Sequence, residues 1–478
     1  MKRRMQVLTL AFAGLALAQE GQELTSLKGV VLKGKAPVSN EILRVKLPKA
    51  AEGKLKNGLT VLVMEDHRTP LVFMDVVIPA SSLSDPADLP GLADATADMI
   101  RLGTKTRTAR QIAEQLAGIG ASLSAQAGFG SRTTHVRMSM LAENLEPSLA
   151  LAADVLLNPS FPQDELDNWK SRQLTALQQM RTQPSFLADQ EMMKILYAGD
   201  ARSVIASTPA AVRKLTRENL ADFYQGRYTP AGAVLGVSGD VTLKQLLPAL
   251  EKYLGGWKGP GVETPKLPVR EPIGKRSVTL IHRPNSVQTY LLVANRAIDR
   301  LSPDYYSCTV LNRVLGQGPA SRLFRNIREE KGYTYGIRSS FSATRYRNHF
   351  EAATSVRTEV TGPALEELLK EFFEIAAKPV PPEELNGAKR ALVANFALGL
   401  ESSSSLLGQV LMQREYGFPA DYWDRYPENI MKITAEDVAR AGSAYVPREN
   451  AQIVAVGDAG KIRDVLKKFG EVREISEE

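Results

Sequence analysis

Tyr228-Thr229-Pro230, followed by Val237-Ser238-Gly239-Asp240, returns later in the chain as Tyr445-Val446-Pro447 ahead of Ala455-Val456-Gly457-Asp458. Two further segments recur in the same order. Phe161-Pro162-Gln163-Asp164-Glu165-Leu166 is echoed by Val380-Pro381-Pro382-Glu383-Glu384-Leu385, and Leu215-Thr216-Arg217-Glu218-Asn219-Leu220 by Ile433-Thr434-Ala435-Glu436-Asp437-Val438. The displacement stays between 217 and 219 residues. A period this long marks a duplicated domain, not a solenoid of short repeats.

Between the copies, residues 258–275 hold four prolines and three glycines, the composition of an extended linker. Each flanking half is long enough for a domain of its own, 44–257 and 276–470, with 471–478 left as a tail. Within the first half, Asn57-Gly58 reads as a two-residue hairpin turn before a strand on which Leu59, Val61 and Val63 alternate. Leu71 to Ile78 reads as a nearly continuous apolar strand. Thr108 and Gln111 form a capping box for a helix carrying Ile112, Leu116 and Ile119, which Gly120 ends. Asp164 to Met180 reads as a longer helix with Leu166, Trp169, Leu177 and Met180 facing inward. Strand pairs separated by helices predict an α+β fold of two homologous α/β sandwiches, helices packed on one face of each sheet.

Composition narrows the chemistry. The chain has 478 residues, 44% hydrophobic and 24% charged, with a net charge of +7. Acids and bases are interspersed without a basic, aromatic-laced stripe, which argues against a nucleic-acid partner. A single cysteine, Cys308, excludes an internal disulfide and any thiolate-rich zinc site, and is expected to be buried. Lys2, Arg3 and Arg4, the apolar run Val7 to Leu17 and the small residues of Ala16-Leu17-Ala18 have the tripartite pattern of a cleavable signal peptide, residues 1–18. Residues 19–43 then form an N-terminal extension. No other long apolar run exists, so the expectation is an exported protein, periplasmic or extracellular, without a stable membrane anchor.

The succession Asn57-Gly58-Leu59-Thr60-Val61, Gly91-Leu92-Ala93 and Arg101-Leu102-Gly103-Thr104 resembles the pitrilysin/insulinase family of zinc peptidases. So do the duplicated Gly-Asp ends and the stretch from Leu311 through Ser321-Arg322-Leu323 to Arg328-Glu329-Glu330-Lys331-Gly332-Tyr333-Thr334-Tyr335-Gly336. The resemblance runs from about residue 44 to 470. It implies a peptidase chamber built from two such chains.

Active members of that family carry His-x-x-Glu-His on the helix after Gly-Leu-Ala, two zinc ligands flanking a general base. The matching positions here are Asp94, Ala97 and Asp98, and Ala176 stands where the third ligand, a glutamate eight residues before a proline, would be. The resemblance therefore implies no metal in this chain. Asp94 in a first helical turn and Asp98 within reach of Arg101 are explained by helix electrostatics. The edge-strand region Gly120 to Thr133, where family members add substrate peptide, has Ser124 in place of the usual asparagine.

The second half keeps a different family feature. An arginine and a tyrosine seven residues later project towards the scissile bond in active relatives, and Arg328 and Tyr335 have that spacing. Guanidinium and phenol can both donate to the oxyanion of a tetrahedral intermediate. The alternative is structural: an arginine paired with Glu329 or Glu330, and a core tyrosine. The resemblance thus implies the non-metal subunit of a heterodimeric peptidase acting on peptides or unfolded polypeptide, with zinc expected in a homologous partner. A catalytically inactive pseudopeptidase that binds peptides or braces an assembly is the second reading.

Overall fold

The computed structural model describes residues 43–262, 265–346 and 348–476. The leader at 1–18 and the extension up to residue 42 lie outside the described residues.

The described chain builds two six-stranded sheets. The first takes β1 (Ala51–Lys54), β2 (Thr60–Glu65), β3 (Leu71–Ile78), β4 (Ser122–Ala127), β5 (Thr134–Leu141) and β6 (Val234–Gly239) in the order β1-β2-β6-β3-β5-β4. The second takes β7 (Ser277–His282), β8 (Gln288–Arg296), β9 (Thr334–Ala343), β10 (Asn348–Arg357), β11 (Gln452–Gly457) and β12 (Val472–Ser476) in the order β12-β7-β11-β8-β10-β9. Five strands correspond one to one. In each copy a central strand pairs in parallel with the first of these five and antiparallel with the second: β6 with β2 and β3, β11 with β7 and β8. The sixth strand differs, since β1 is antiparallel to β2 whereas β12 is parallel to β7. Strand β12 occupies the stretch read from sequence as a tail, so the second sheet extends past residue 470.

Local chemistry explains the boundaries. Gly58, at φ +93°, makes the turn before β2, and the Thr108–Gln111 capping box opens the helix Ala109–Gly118, with Gly120 at φ +62° just beyond it. The helix Gln163–Arg181 buries Leu166, Trp169 and Leu177, but Met180 is exposed, contrary to the reading of its pattern. It falls in the last turn, where the helix has outrun the surface it covers. Cys308 is buried in the second core.

The expectation of helices on one sheet face needs correction. Each half's own helices cover one face of its sheet, and a helix from the other half lies on the opposite face. The helix Pro184–Tyr197, in the first half of the sequence, buries Leu187, Met192, Met193 and Leu196 against Ile281, Leu292, Val454 and Val456 of the second sheet. Its equivalent, Ser403–Tyr416, places Leu407 and Leu411 on Gly236 of β6 in the first sheet. A strand buried on both faces needs apolar residues at successive positions, which is why Gln452-Ile453-Val454-Ala455-Val456 is almost uninterrupted.

Candidate functional site

The helix Leu92–Met99 begins at Gly91, whose φ of +95° and contact with Ser207 leave no room for a side chain: a Cβ there would stand 1.9 Å from Ser207 Oγ. No side chain of the cap residue closes the helix. Asp85 does so from outside, its carboxylate accepting the backbone N–H of Gly91 at 2.8 Å and of Ala93 at 2.9 Å. Burial pushes the Asp85 carboxyl up to about 7, against the pull of those two N–H groups. Nothing in the sequence singled out Asp85, because its role depends on a turn folding back on the helix.

Leu92, Ala93, Ala95, Thr96 and Ala97 of this helix are buried, and Asp94 and Asp98 share its half-buried face. Burial, and then the nearby charge of Asp98, pushes the Asp94 carboxyl up to about 7. Asp98 accepts the indole N–H of Trp169 at 3.0 Å and meets Arg101 at 3.6 Å. Trp169 lies on the helix Gln163–Arg181, and Ala176 sits seven residues on, two turns along that same face. The structure thus gathers the helix of Asp94, Ala97 and Asp98 and the helix of Ala176 at one place. These residues do not fit a zinc ion. Two methyl groups supply no donor, no imidazole is present, and Asp98 is already engaged by an indole and a guanidinium. Among the described residues no three His, Cys, Asp or Glu side chains are grouped to hold a metal.

Arg328 sits in a π-helical segment, Phe324–Glu330, a geometry that recurs at functional sites. The segment is held from below by Ile327 in the core and by Asn326, whose side-chain amide donates to Glu371 at 2.8 Å and to Glu367 at 3.0 Å. Just before it, Arg322 forms a two-pronged pair with Glu384 at 2.9 and 2.8 Å. The Arg328 guanidinium lies over the Phe324 ring, 4.4 Å from its centre, and the side chain is exposed. A turn at Gly332, φ +62°, leads into β9, which among the described residues is one of the two edges of the second sheet, the other being β12. There Tyr335 is 93% exposed, while Tyr333 is the tyrosine that packs on the core. The structural alternative for this pair does not hold: Tyr335 is no core residue, and Arg328 leans on Phe324 and not on Glu329 or Glu330.

One polar cluster was illegible in the sequence because its members are some 160 residues apart. On the sheet face beneath the helix Pro184–Tyr197, Glu351 accepts from Ser340 at 3.0 Å and lies 3.5 Å from His349. Burial would raise the Glu351 carboxyl, but those two groups and the charge of Arg338 bring it below its usual range. Asp189, on the helix, is pushed up to about 6 by burial and by Glu351.

Two family models match the chain: insulinase (peptidase family M16) over residues 60–208, and the peptidase M16 inactive domain over residues 214–392. The chain belongs to the M16, or insulinase, family. It is 26% identical over 423 residues to the non-peptidase homolog YmxG of Helicobacter pylori, covering 87% of this chain and 93% of that one. It is 22% identical over 360 residues to the uncharacterized zinc protease YmxG of Bacillus subtilis, covering 74% and 85%. The crystal structure of a peptidase M16 inactive domain from Pseudomonas fluorescens superposes with a TM-score of 0.79 at 26% identity, covering 86% of this chain and 98% of that one. A protease from Helicobacter pylori shares the fold with a TM-score of 0.78 at 18% identity, over 86% of this chain and all of that one. Asp94, Ala97 and Asp98 lie on the helix Leu92–Met99, within the residues that the insulinase model matches.

Proposed function

We propose that this M16 homologue is the non-metal subunit of an exported, heterodimeric insulinase-like peptidase. In this reading a homologous partner supplies zinc and the general base, and Arg328 and Tyr335 act on the substrate in the shared chamber. The observation that carries it is the placement of Tyr335: a phenol 93% exposed on a sheet edge, one turn from an exposed guanidinium, in a chain with Asp94, Ala97, Asp98 and Ala176 at the positions the resemblance assigns to zinc and its base. A tyrosine kept for packing would be buried, as Tyr333 partly is.

The chemistry assigned to the pair is electrostatic. As water adds to a scissile carbonyl, charge develops on oxygen, and a guanidinium fork and a phenolic O–H aimed at that oxygen stabilise it without titrating. The pair performs no proton abstraction. The test is reconstitution. The chain is mixed with a zinc-bearing M16 homologue, and peptide hydrolysis is followed after size exclusion. Activity appearing only in the mixed assembly supports the reading. An assembly as active with Arg328→Ala and Tyr335→Phe as without them removes the pair from catalysis.

A second reading, a pseudopeptidase that binds peptides or braces an assembly, is favoured by one observation. Asp98 accepts from Trp169 and meets Arg101, so this carboxylate already serves to hold the helix Leu92–Met99 in the fold. Export is tested separately, by the N-terminal mass of the protein recovered from the cell envelope; cleavage after Ala18 is expected.

A further inference from the structure

Along most of its length β9 pairs with β10 one residue to one: Phe341 lies opposite Phe350, Ser339 opposite Ala352 and Ile337 opposite Thr354. Residues directly opposite one another in a sheet point to the same face, and successive residues alternate between faces. Ile337, Phe341, Phe350 and Ala352 all lie in or against the second core. Continued in this register, the strand would set Tyr335 opposite Val356 and turn it towards that core, in which Val356 is buried. Instead Thr334 takes the place opposite Val356, so that Tyr335 and Gly336 together stand opposite the single residue Ser355. This is a β-bulge, which re-aims a side chain at a sheet edge. It leaves the Tyr335 phenol 93% exposed.

The first half shows the same strand without the bulge. The central strands match at Gly236 and Val454, and counting across the ladders from them sets Ser124 against Arg338, and hence Leu123 against Ile337. There β4 pairs with β5 residue for residue from Ser122 to Ala127. Ala121, which matches Tyr335, packs on the first core, as regular alternation requires.

Two hydroxyls hold the bulge. Thr334 donates its O–H to the Ser355 carbonyl at 2.7 Å, and its oxygen accepts the backbone N–H of Gly336 at 3.1 Å. The Thr354 hydroxyl stands 3.0 Å from both the Thr334 oxygen and the Gly336 carbonyl. These bonds replace pairing that a bulge withdraws from the ladder. A valine in either place would keep the shape and the preference for a strand but make none of them.

We propose that Thr334 and Thr354 are positioning residues, whose hydroxyls stabilise the bulge that turns Tyr335 away from the core and presents its phenol at the β9 edge. The use of that phenol on substrate rests on the role proposed for Tyr335 in the heterodimer, whereas its placement does not.

The experiment has two arms. In the first, the isolated full chain is nitrated with tetranitromethane and Tyr335 is followed by peptide mass spectrometry. Thr334→Val and Thr354→Val should each slow its nitration several-fold relative to wild type, with the far-ultraviolet circular dichroism unchanged. Thr334→Ser, which restores the hydroxyl, should return it to the wild-type rate. The second arm uses the chain assembled with a zinc-bearing M16 homologue. There Thr334→Val should lower kcat by roughly 10²-fold, the scale on which a small misplacement of a reacting group acts, with KM little changed. In a Tyr335→Phe background it should lower kcat no further. The proposal is overturned if both valine variants are nitrated at the wild-type rate, if Thr334→Ser does not rescue, or if Thr334→Val keeps its full effect on kcat without the phenol. If Tyr335→Phe leaves the assembly's rate unchanged while the nitration results hold, the catalytic role of Tyr335 fails and its positioning by the bulge stands.

Discussion

Leu407 lies directly over Gly236, so that a Cβ built at residue 236 would stand 3.0 Å from Leu407 Cδ1. The two residues belong to different halves of the duplication, and their contact is the point where the helix Ser403–Tyr416 seats on the first sheet. Gly236→Val should cost about 1–3 kcal/mol, the usual range for overpacking. Leu407→Ala alone should cost about 2–5 kcal/mol, but combined with Gly236→Val it should cost less than the sum of the two, because the new methyls occupy the vacated space. Denaturant unfolding of the four proteins measures this. A strictly additive cycle would show that the contact carries no coupling.

Zinc content follows from the residues at the metal positions. The purified chain should hold far less than one equivalent and hydrolyse no peptide. Restoring His at 94 and 98 and Glu at 97 and 176 should create chelator-sensitive zinc binding, stronger than in a variant that keeps Ala176. Elemental analysis after dialysis decides. Stoichiometric zinc in the unaltered chain would overturn the assignment.

The Asp94 carboxyl has a definite pH signature. Its pKa is raised to about 7 in the folded protein from an ordinary value near 3.8, so the folded state holds the proton more tightly than the unfolded state. Stability from this group is therefore fully present below pH 4 and falls as pH rises to about 7. Asp94→Asn should match the wild type near pH 4 and exceed it at pH 8 by about 1–2 kcal/mol, a figure reduced for partial solvent screening. Urea unfolding at the two pH values checks the sign.

Arg328 and Tyr335 should separate stability from activity. Both are exposed, so Arg328→Ala and Tyr335→Phe should change the stability of the isolated chain by less than about 0.5 kcal/mol. In the reconstituted heterodimer each should lower kcat by roughly 10²–10³ with less effect on KM. Arg328→Lys should also fail, since an ammonium lacks the planar fork. Loss of assembly, seen by size exclusion, would make the pair an interface feature instead.

Much of the candidate site was proposed from the sequence because its signals are local. The substitutions at Asp94, Ala97 and Asp98 fall within five consecutive residues, and the seven-residue spacing of Arg328 and Tyr335 spans a single turn between a helix and a strand. The Asp85 cap and the Asp189–Glu351 cluster were not legible, because the partners meet only after a turn or a whole domain has closed. Met180 shows the limit of periodicity: the pattern gave its helix correctly but could not say where the surface beneath that helix stops.

The sequence by itself carried the duplication and the first-half elements around Asn57-Gly58, Leu71 to Ile78, Thr108–Gln111 and Asp164 to Met180, since repeats, glycine turns and capping boxes act over a few residues. Only the tertiary structure decided that the halves exchange helices, Pro184–Tyr197 onto one sheet and Ser403–Tyr416 onto the other. Hydrophobic burial is non-directional and rewards any apolar cover over an exposed sheet face. Which helix supplies that cover is settled by shape, here by the absence of a side chain at Gly236 beneath Leu407, and shape of that kind exists only once the chain has folded.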